Sequence, residues 1–289
     1  MESKFRPAIA AFKSGNLTAL KTLLQEDPSL ATARSAISHP TLLQCLVLDY
    51  VDLPNKLELT QALIDAGAEI EGPMVAAASI NNFECLGLLL RSGAHLNGTG
   101  GWSPLEEALY WGHREAIALL LEHGATIHNL RLAAGLGRID LIESFFNSDG
   151  GLQPAAGKID WPFGQPQQAN LSGKIKDELS AKVARWSNDS QEIINNAFIY
   201  ACMENQIEAA QLLLQKGAEI DAIPPGFDYS GTGLHYAALR GHKPMVEFLI
   251  ANGADVNVRD TKVHNTAAGW ADFGGHSELK MYLDQIAGI

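Results

Sequence analysis

The residues of this chain with the widest chemical reach are its nine histidines and three cysteines. A metal centre or an activated nucleophile would need them at ligand or dyad spacing. Cys45, Cys85 and Cys202 lie far apart, with no Cys-x-x-Cys pair, and each falls inside a helical pattern. They read as reduced, buried thiols of a cytoplasmic protein. His39, His95, His123, His128 and His264 form no pair at helical ligand spacing. His113, His242 and His276 each follow a glycine in a recurring Gly-His element, and His235 opens a helical run. There is no Gly-x-Ser-x-Gly elbow, no Gly-x-x-x-x-Gly-Lys cradle and no His-Glu-x-x-His helix. Gly98-Thr99-Gly100-Gly101 lacks the preceding strand and the lysine of a phosphate loop and reads as an ordinary loop. No catalytic residue, metal or cofactor is expected.

The elements that carry these residues repeat. The clearest copy runs Gly231-Thr232-Gly233-Leu234-His235-Tyr236-Ala237-Ala238-Leu239-Arg240-Gly241-His242, then Val246 to Ile250 and Gly253-Ala254-Asp255-Val256-Asn257. The next repeats it as Thr266, Ala267, Trp270, Ala271, Gly275-His276 and Leu279. An earlier one has Ser103-Pro104-Leu105, Gly112-His113 and Gly124-Ala125. Weaker copies place Gly15-Asn16, Asn81-Asn82, Gly137-Arg138 and Asn205-Gln206 at the same turn, and a copy at Thr41-Leu42-Leu43 carries extra residues from about Tyr50 to Asn55. Each residue has a physical role. A threonine or serine caps the first helix, with proline fitting its first turn. Paired alanines keep that helix thin, glycine supplies a left-handed turn, and the leucines of the second helix fill the seam between copies.

These motifs closely resemble the ankyrin repeat. The stretch Leu132 to Asp140, Phe145-Phe146 and Pro225-Gly226-Phe227-Asp228 further resembles a group of bacterial ankyrin-repeat proteins. The resemblance implies an all-α solenoid of about eight helix–turn–helix units over residues 1–289 as a single domain. It also implies that the Gly-His histidines and His235 bond backbone groups between loops. It transfers no reaction. Gly233 and Ala267 stand where proline is usual, which weakens capping slightly. Trp270 replaces a small core residue and is expected to be structural.

Departures from the period are as informative. Gly-Ala elements fall at 67, 93, 124, 217 and 253, and the step from 67 to 93 is about seven residues short of the usual 33. The turn glycines at 112 and 137 show the same shortfall. Both joints are expected to lack a full hairpin finger. An insertion of roughly residues 150–190 breaks the array. Its first half, through Trp161-Pro162-Phe163-Gly164, reads as an irregular loop. In its second half Ile175, Leu179, Val183 and Trp186 form one helical stripe, whose burial against the repeats would contribute about 1.5–3 kcal/mol per side chain. Asp189 with Glu192 reads as an N-cap and capping box.

Ankyrin proteins bind through the concave face formed by hairpin tips and the exposed end of each first helix. Transferred to this sequence, those positions are Trp102, Tyr110, Trp111, Leu136, Met203, Glu204, Asp228, Tyr229, Leu239, Arg240, Lys262 and Phe273. Several are aromatic, as interface anchors often are. Two readings follow: the aromatics pack against Trp161, Phe163 and Trp186 of the insertion, or they form a recognition surface. The expected function is non-enzymatic binding of a protein or peptide by a monomer. The alternative is a small-molecule binder or unusual enzyme roofed by the insertion, with Asp228, His235, Arg240, Asp260 and Lys262 as its polar groups. A net charge of −12 disfavours nucleic acid. No apolar stretch reaches membrane-spanning length, and Met1 to Pro7 contains no apolar run of a signal peptide.

Overall fold

The computed structural model describes residues 3–35, 41–50, 52–99, 102–157, 181, 185 and 188–288. The proposed helical stripe Ile175, Leu179, Val183 and Trp186 and the aromatics Trp161 and Phe163 therefore lie outside the described residues. Two compact units emerge, Met1–Thr126 and Ile127–Ile289.

The first unit contains α1 (Arg6–Lys13), α2 (Leu17–Glu26), a short α3 (Ser29–Thr32), α4 (Leu42–Asp49), α5 (Lys56–Asp65), α6 (Glu71–Ser79), α7 (Phe83–Arg91), α8 (Pro104–Trp111) and α9 (Arg114–Glu122). The second contains α10 (Leu130–Gly135), α11 (Ile139–Ser144), α12 (Ser190–Met203), α13 (Ile207–Gln215), α14 (Gly233–Leu239), α15 (Lys243–Ala251), α16 (Ala267–Phe273) and α17 (Ser277–Ala287). Apart from α3, these helices pair consecutively into eight helix–turn–helix units among the described residues. Within each unit, first helices stack on first helices (α4–α6–α8; α10–α12–α14–α16); second helices stack along α2–α5–α7–α9 in the first unit and as α11–α13 in the second.

Side-chain size explains the stacking. Ala76, Ala77 and Ala78, then Ala133 and Ala134, then Ala237 and Ala238 are buried between first helices and let the backbones approach. Leu59, Leu63, Leu86, Leu89 and Leu120 fill the seam between second helices and have no exposed surface; each contributes about 1.5–3 kcal/mol. Thr41 caps α4 through the Gln44 N–H (3.1 Å), and Ser103 forms a capping box with Glu106 at α8. Seven inter-helix turns use the left-handed conformation, at Gly15, Asn81, Gly112, Gly137, Asn205, Gly241 and Gly275. Asparagine tolerates it better than other non-glycine residues, and here the Asn81 side chain also ties its turn to the next repeat, accepting from the Ala116 N–H (3.1 Å) and donating to Glu115 (2.8 Å).

The exception is the α4–α5 joint, where the extra residues lie. There Lys56, only 6 % exposed, donates from Nζ to the Val47 carbonyl at 2.8 Å and so caps the end of α4. Burial draws its pKa below the usual lysine range, while nearby Cys85 and Asp52 act the other way. Lys56→Met keeps the volume but orphans the Val47 carbonyl. We expect it to cost about 1–2 kcal/mol, measured as a lower urea midpoint by circular dichroism.

Both shortened joints lack long loops. Residues 66–70 link α5 to α6 and residues 123–129 link α9 to α10, whereas residues 216–232 and 252–266 form long loops elsewhere. The start of the insertion turns back through a bridge between Phe146 and Leu152 and a 3-10 turn at Pro154–Ala156, burying Ala156 in the core of the second unit. Asp189 caps α12, accepting from the Gln191 and Glu192 N–H groups (2.9 and 3.2 Å). The reciprocal bond of the expected capping box is not made among the described residues. Burial, with Asp189 and Glu219 nearby, instead pushes the Glu192 carboxyl pKa up.

Candidate recognition site

The site grows from one buried carboxylate. Asp260, 1 % exposed, stands in the long loop before α16 and accepts from the Lys262, Val263 and Asn265 N–H groups at 2.7–2.8 Å. The Trp270 Nε1–H adds a fourth bond at 3.1 Å. Burial alone would raise the Asp260 pKa, but these donors overcome it and hold the value at about 2. The carboxylate thus fixes the loop against the first turns of α16 and orients the indole.

Trp270 is 6 % exposed and meets the rings of His235 and Tyr236 edge-on, each at 5.1 Å, and that of Tyr229 at 5.9 Å. It packs over Gly231, where any Cβ would lie 2.9 Å from the indole. The structural role expected for Trp270 is present, and the ring also forms part of a pocket. Tyr229, Leu239, Lys262, Val263, Asn265, Gly269, Trp270 and Phe273 line a half-open, mainly apolar hollow of about 290 Å³. Phe273 is 80 % exposed, Val263 63 % and Tyr229 42 %. At the lip, Lys262 Nζ lies 5.0 Å from the centre of the Tyr229 ring and donates to the Asp228 carbonyl (2.9 Å). Burial pushes the Asp228 carboxyl pKa up, with the Lys262 charge opposing.

Four expected groove residues, Tyr229, Leu239, Lys262 and Phe273, therefore converge on one pocket. Others turn inward. His235 is 1 % exposed and neutral in its bonding: Nδ1 accepts from the Thr232 N–H (3.2 Å) while Nε2 donates to the Asn265 carbonyl (3.1 Å). Burial lowers its pKa, with the Asn265 carbonyl and Asp260 opposing. Like Asp260, His235 is committed to holding backbone rather than facing a ligand. His242 and His113 do similar work, donating to the Met203 and Ser79 carbonyls, each at 2.9 Å. Met203 is 2 % exposed, so its side chain belongs to the core instead of the groove. Glu204 and Arg240 form a largely shielded ion pair. Leu136 is half-buried at the end of α10.

In the first unit, Trp102, Tyr110 and Trp111 gather around Glu107. This carboxylate is 4 % exposed and accepts both indole N–H groups, that of Trp111 at 2.9 Å. Tyr110 sits edge-on to both indoles, at 6.3 and 5.2 Å, and is buried, which removes it from the expected surface; Trp111 remains 39 % exposed. Glu107 was not legible as the organiser, because it occupies an ordinary helical position. Val263, Asn265 and Gly269 were also missed as lining residues. The polar loop Asp260 to Asn265 ahead of a helix was the available signal for them. Among the described residues no cluster of histidine, cysteine and carboxylate side chains could hold a metal. The Cys45 thiol is pushed up to about 12 by burial and by Asp49, and burial raises Cys85 and Cys202 as well.

Sequence comparison agrees with the helix pairs. The ankyrin-repeat family matches residues 48–131 and 176–260. This chain belongs to the ankyrin-repeat family, whose members are generally protein-interaction modules. Relatives include mouse ankyrin repeat and SOCS box protein 6, 39% identical over 27% of this chain and 18% of that protein. Mouse palmitoyltransferase ZDHHC13 is 39% identical over 48% and 20%, respectively. The ankyrin repeat domain-containing protein SAT10 of Stachybotrys chartarum is 24% identical over 75% and 10%. The chain thus spans a fifth or less of each relative's length. None of the described helices is long and apolar enough to cross a membrane.

Proposed function

We propose that this chain is a non-enzymatic recognition protein whose second unit binds a polypeptide partner through the pocket between the 260–265 loop and α16. The observation that carries the reading is the apolar hollow ringed by Tyr229, Val263 and Phe273, all exposed at positions the repeat does not need for stacking. Aromatic residues in a pocket are the usual anchors of protein interfaces. Small-molecule sites enclose about 300–1,000 Å³ and bury most of their ligand; this one lies at the lower edge of that range and is half-open. Two polar groups that a ligand site would have used, His235 and Asp260, are occupied with backbone. In the same reading residues 1–289 act as one cytoplasmic, monomeric ankyrin-repeat domain carrying the 150–190 insertion, and net acidity keeps it off nucleic acid.

A photo-reactive benzoylphenylalanine at position 273 tests this in cells. Phe273 is so exposed that its replacement should change stability by less than about 0.5 kcal/mol. We expect irradiation to yield discrete higher-mass adducts with polypeptide partners, absent when the probe replaces an exposed residue of α2. Equal labelling at both places, or no adduct at 273, would overturn the proposal.

A further inference from the structure

We infer that the partner seats one bulky apolar side chain in this pocket and carries a carboxylate beside it; the inference rests on the polypeptide recognition proposed above. Size argues for the first half. A hollow of about 290 Å³ walled by the Tyr229, Trp270 and Phe273 rings admits a single large side chain. Gly269 lines it without a side chain, and a Cβ there would lie 3.0 Å from Asn265 Cγ.

Charge argues for the second half. An ammonium has three N–H donors, and Lys262 gives one to the Asp228 carbonyl. The group is solvent-exposed at the lip, so its remaining donors face whatever enters. The neighbouring charges leave it as the cation that a ligand would meet. Arg240 is engaged with Glu204, and Asp260 is buried under four donors. The Asp228 carboxyl shares the field of Lys262. The chain's net charge of −12 does not decide the matter, because charges beyond about 8 Å are largely screened at physiological salt.

Panning a phage-displayed random dodecapeptide library on the full chain, followed by fluorescence anisotropy of the selected synthetic peptides, tests the inference. We expect selected peptides to share Trp, Phe or Leu with Asp or Glu within two residues. Phe273→Ala should weaken them at least tenfold. Lys262→Met should erase the preference for Asp over Asn, worth about fivefold, while sparing the apolar anchor. Asp228→Asn, which removes the competing carboxylate, should tighten acidic peptides a few-fold. Peptides that need Phe273 but carry no acid, or carry Lys or Arg, would overturn the inference and leave polypeptide recognition standing. If no peptide distinguishes the chain from Phe273→Ala, both fall.

Discussion

Asp260→Ala is expected to cost the second unit about 3–5 kcal/mol. The change strands the Lys262, Val263 and Asn265 N–H groups and the buried Trp270 indole N–H. Each orphaned donor costs about 1–3 kcal/mol, less where water can replace the lost partner. Asp260→Asn should be milder and supplies a cleaner readout. The folded carboxyl titrates near 2 against an ordinary value of 3.8. A depressed acid stabilises the fold above its unfolded pKa and loses that contribution as pH falls through the folded one. The difference amounts to about 2–3 kcal/mol, all of it present above about pH 4 and withdrawn toward pH 2. Urea titrations between pH 5 and 2.5 should therefore show the parent losing more stability than Asp260→Asn. Parallel curves would mean that the carboxylate does not organise the loop.

Gly233→Pro should destabilise the chain although it restores the residue usual at this place in the repeat. Proline at the first helical position normally helps, because its missing N–H would be unpaired there anyway. Here a Cβ at position 233 would lie 2.8 Å from Cys202 Sγ and 3.2 Å from Phe198 Cε1, both buried on α12. Overpacking of this kind costs about 1–3 kcal/mol. Cys202→Ala removes the nearer atom, so the double variant should be more stable than the sum of the two changes implies, with a coupling of about 1 kcal/mol. Additive effects in a double-mutant cycle would show that the sulfur is not the obstacle.

That pair also shows why some of the structure could be read in the sequence and some could not. Gly233 reads as weak capping when only its own helix is considered; the reason for it is a thiol on the preceding first helix, supplied by tertiary packing. Turn signals are local, and so Gly15, Asn81, Gly137 and Asn205 all fall where the repeat places them. The shortened joints were legible for the same reason, as simple spacing. The pocket was half legible. Tyr229, Leu239, Lys262 and Phe273 follow from the repeat register, and the backbone bonds of His235 follow from the ankyrin resemblance. Asp260 reads as a ligand group because its type suggests chemistry, and only its bonds to backbone show that it builds the site instead. Met203 and Tyr110 misled for the opposite reason: each stands two residues before its turn yet is buried, Tyr110 between two indoles.

Recognition through the second unit's pocket places the partner against Trp270 and Phe273. Titrating the isotopically labelled full chain with a selected apolar-acidic peptide, followed by ¹H–¹⁵N correlation spectra, tests it most directly. We expect saturable shifts of the Trp270 indole N–H and of the Val263, Asn265 and Gly269 amides, lost in Phe273→Ala. Saturable shifts centred on the Trp102–Trp111 cluster, with the Trp270 indole unmoved, would contradict it.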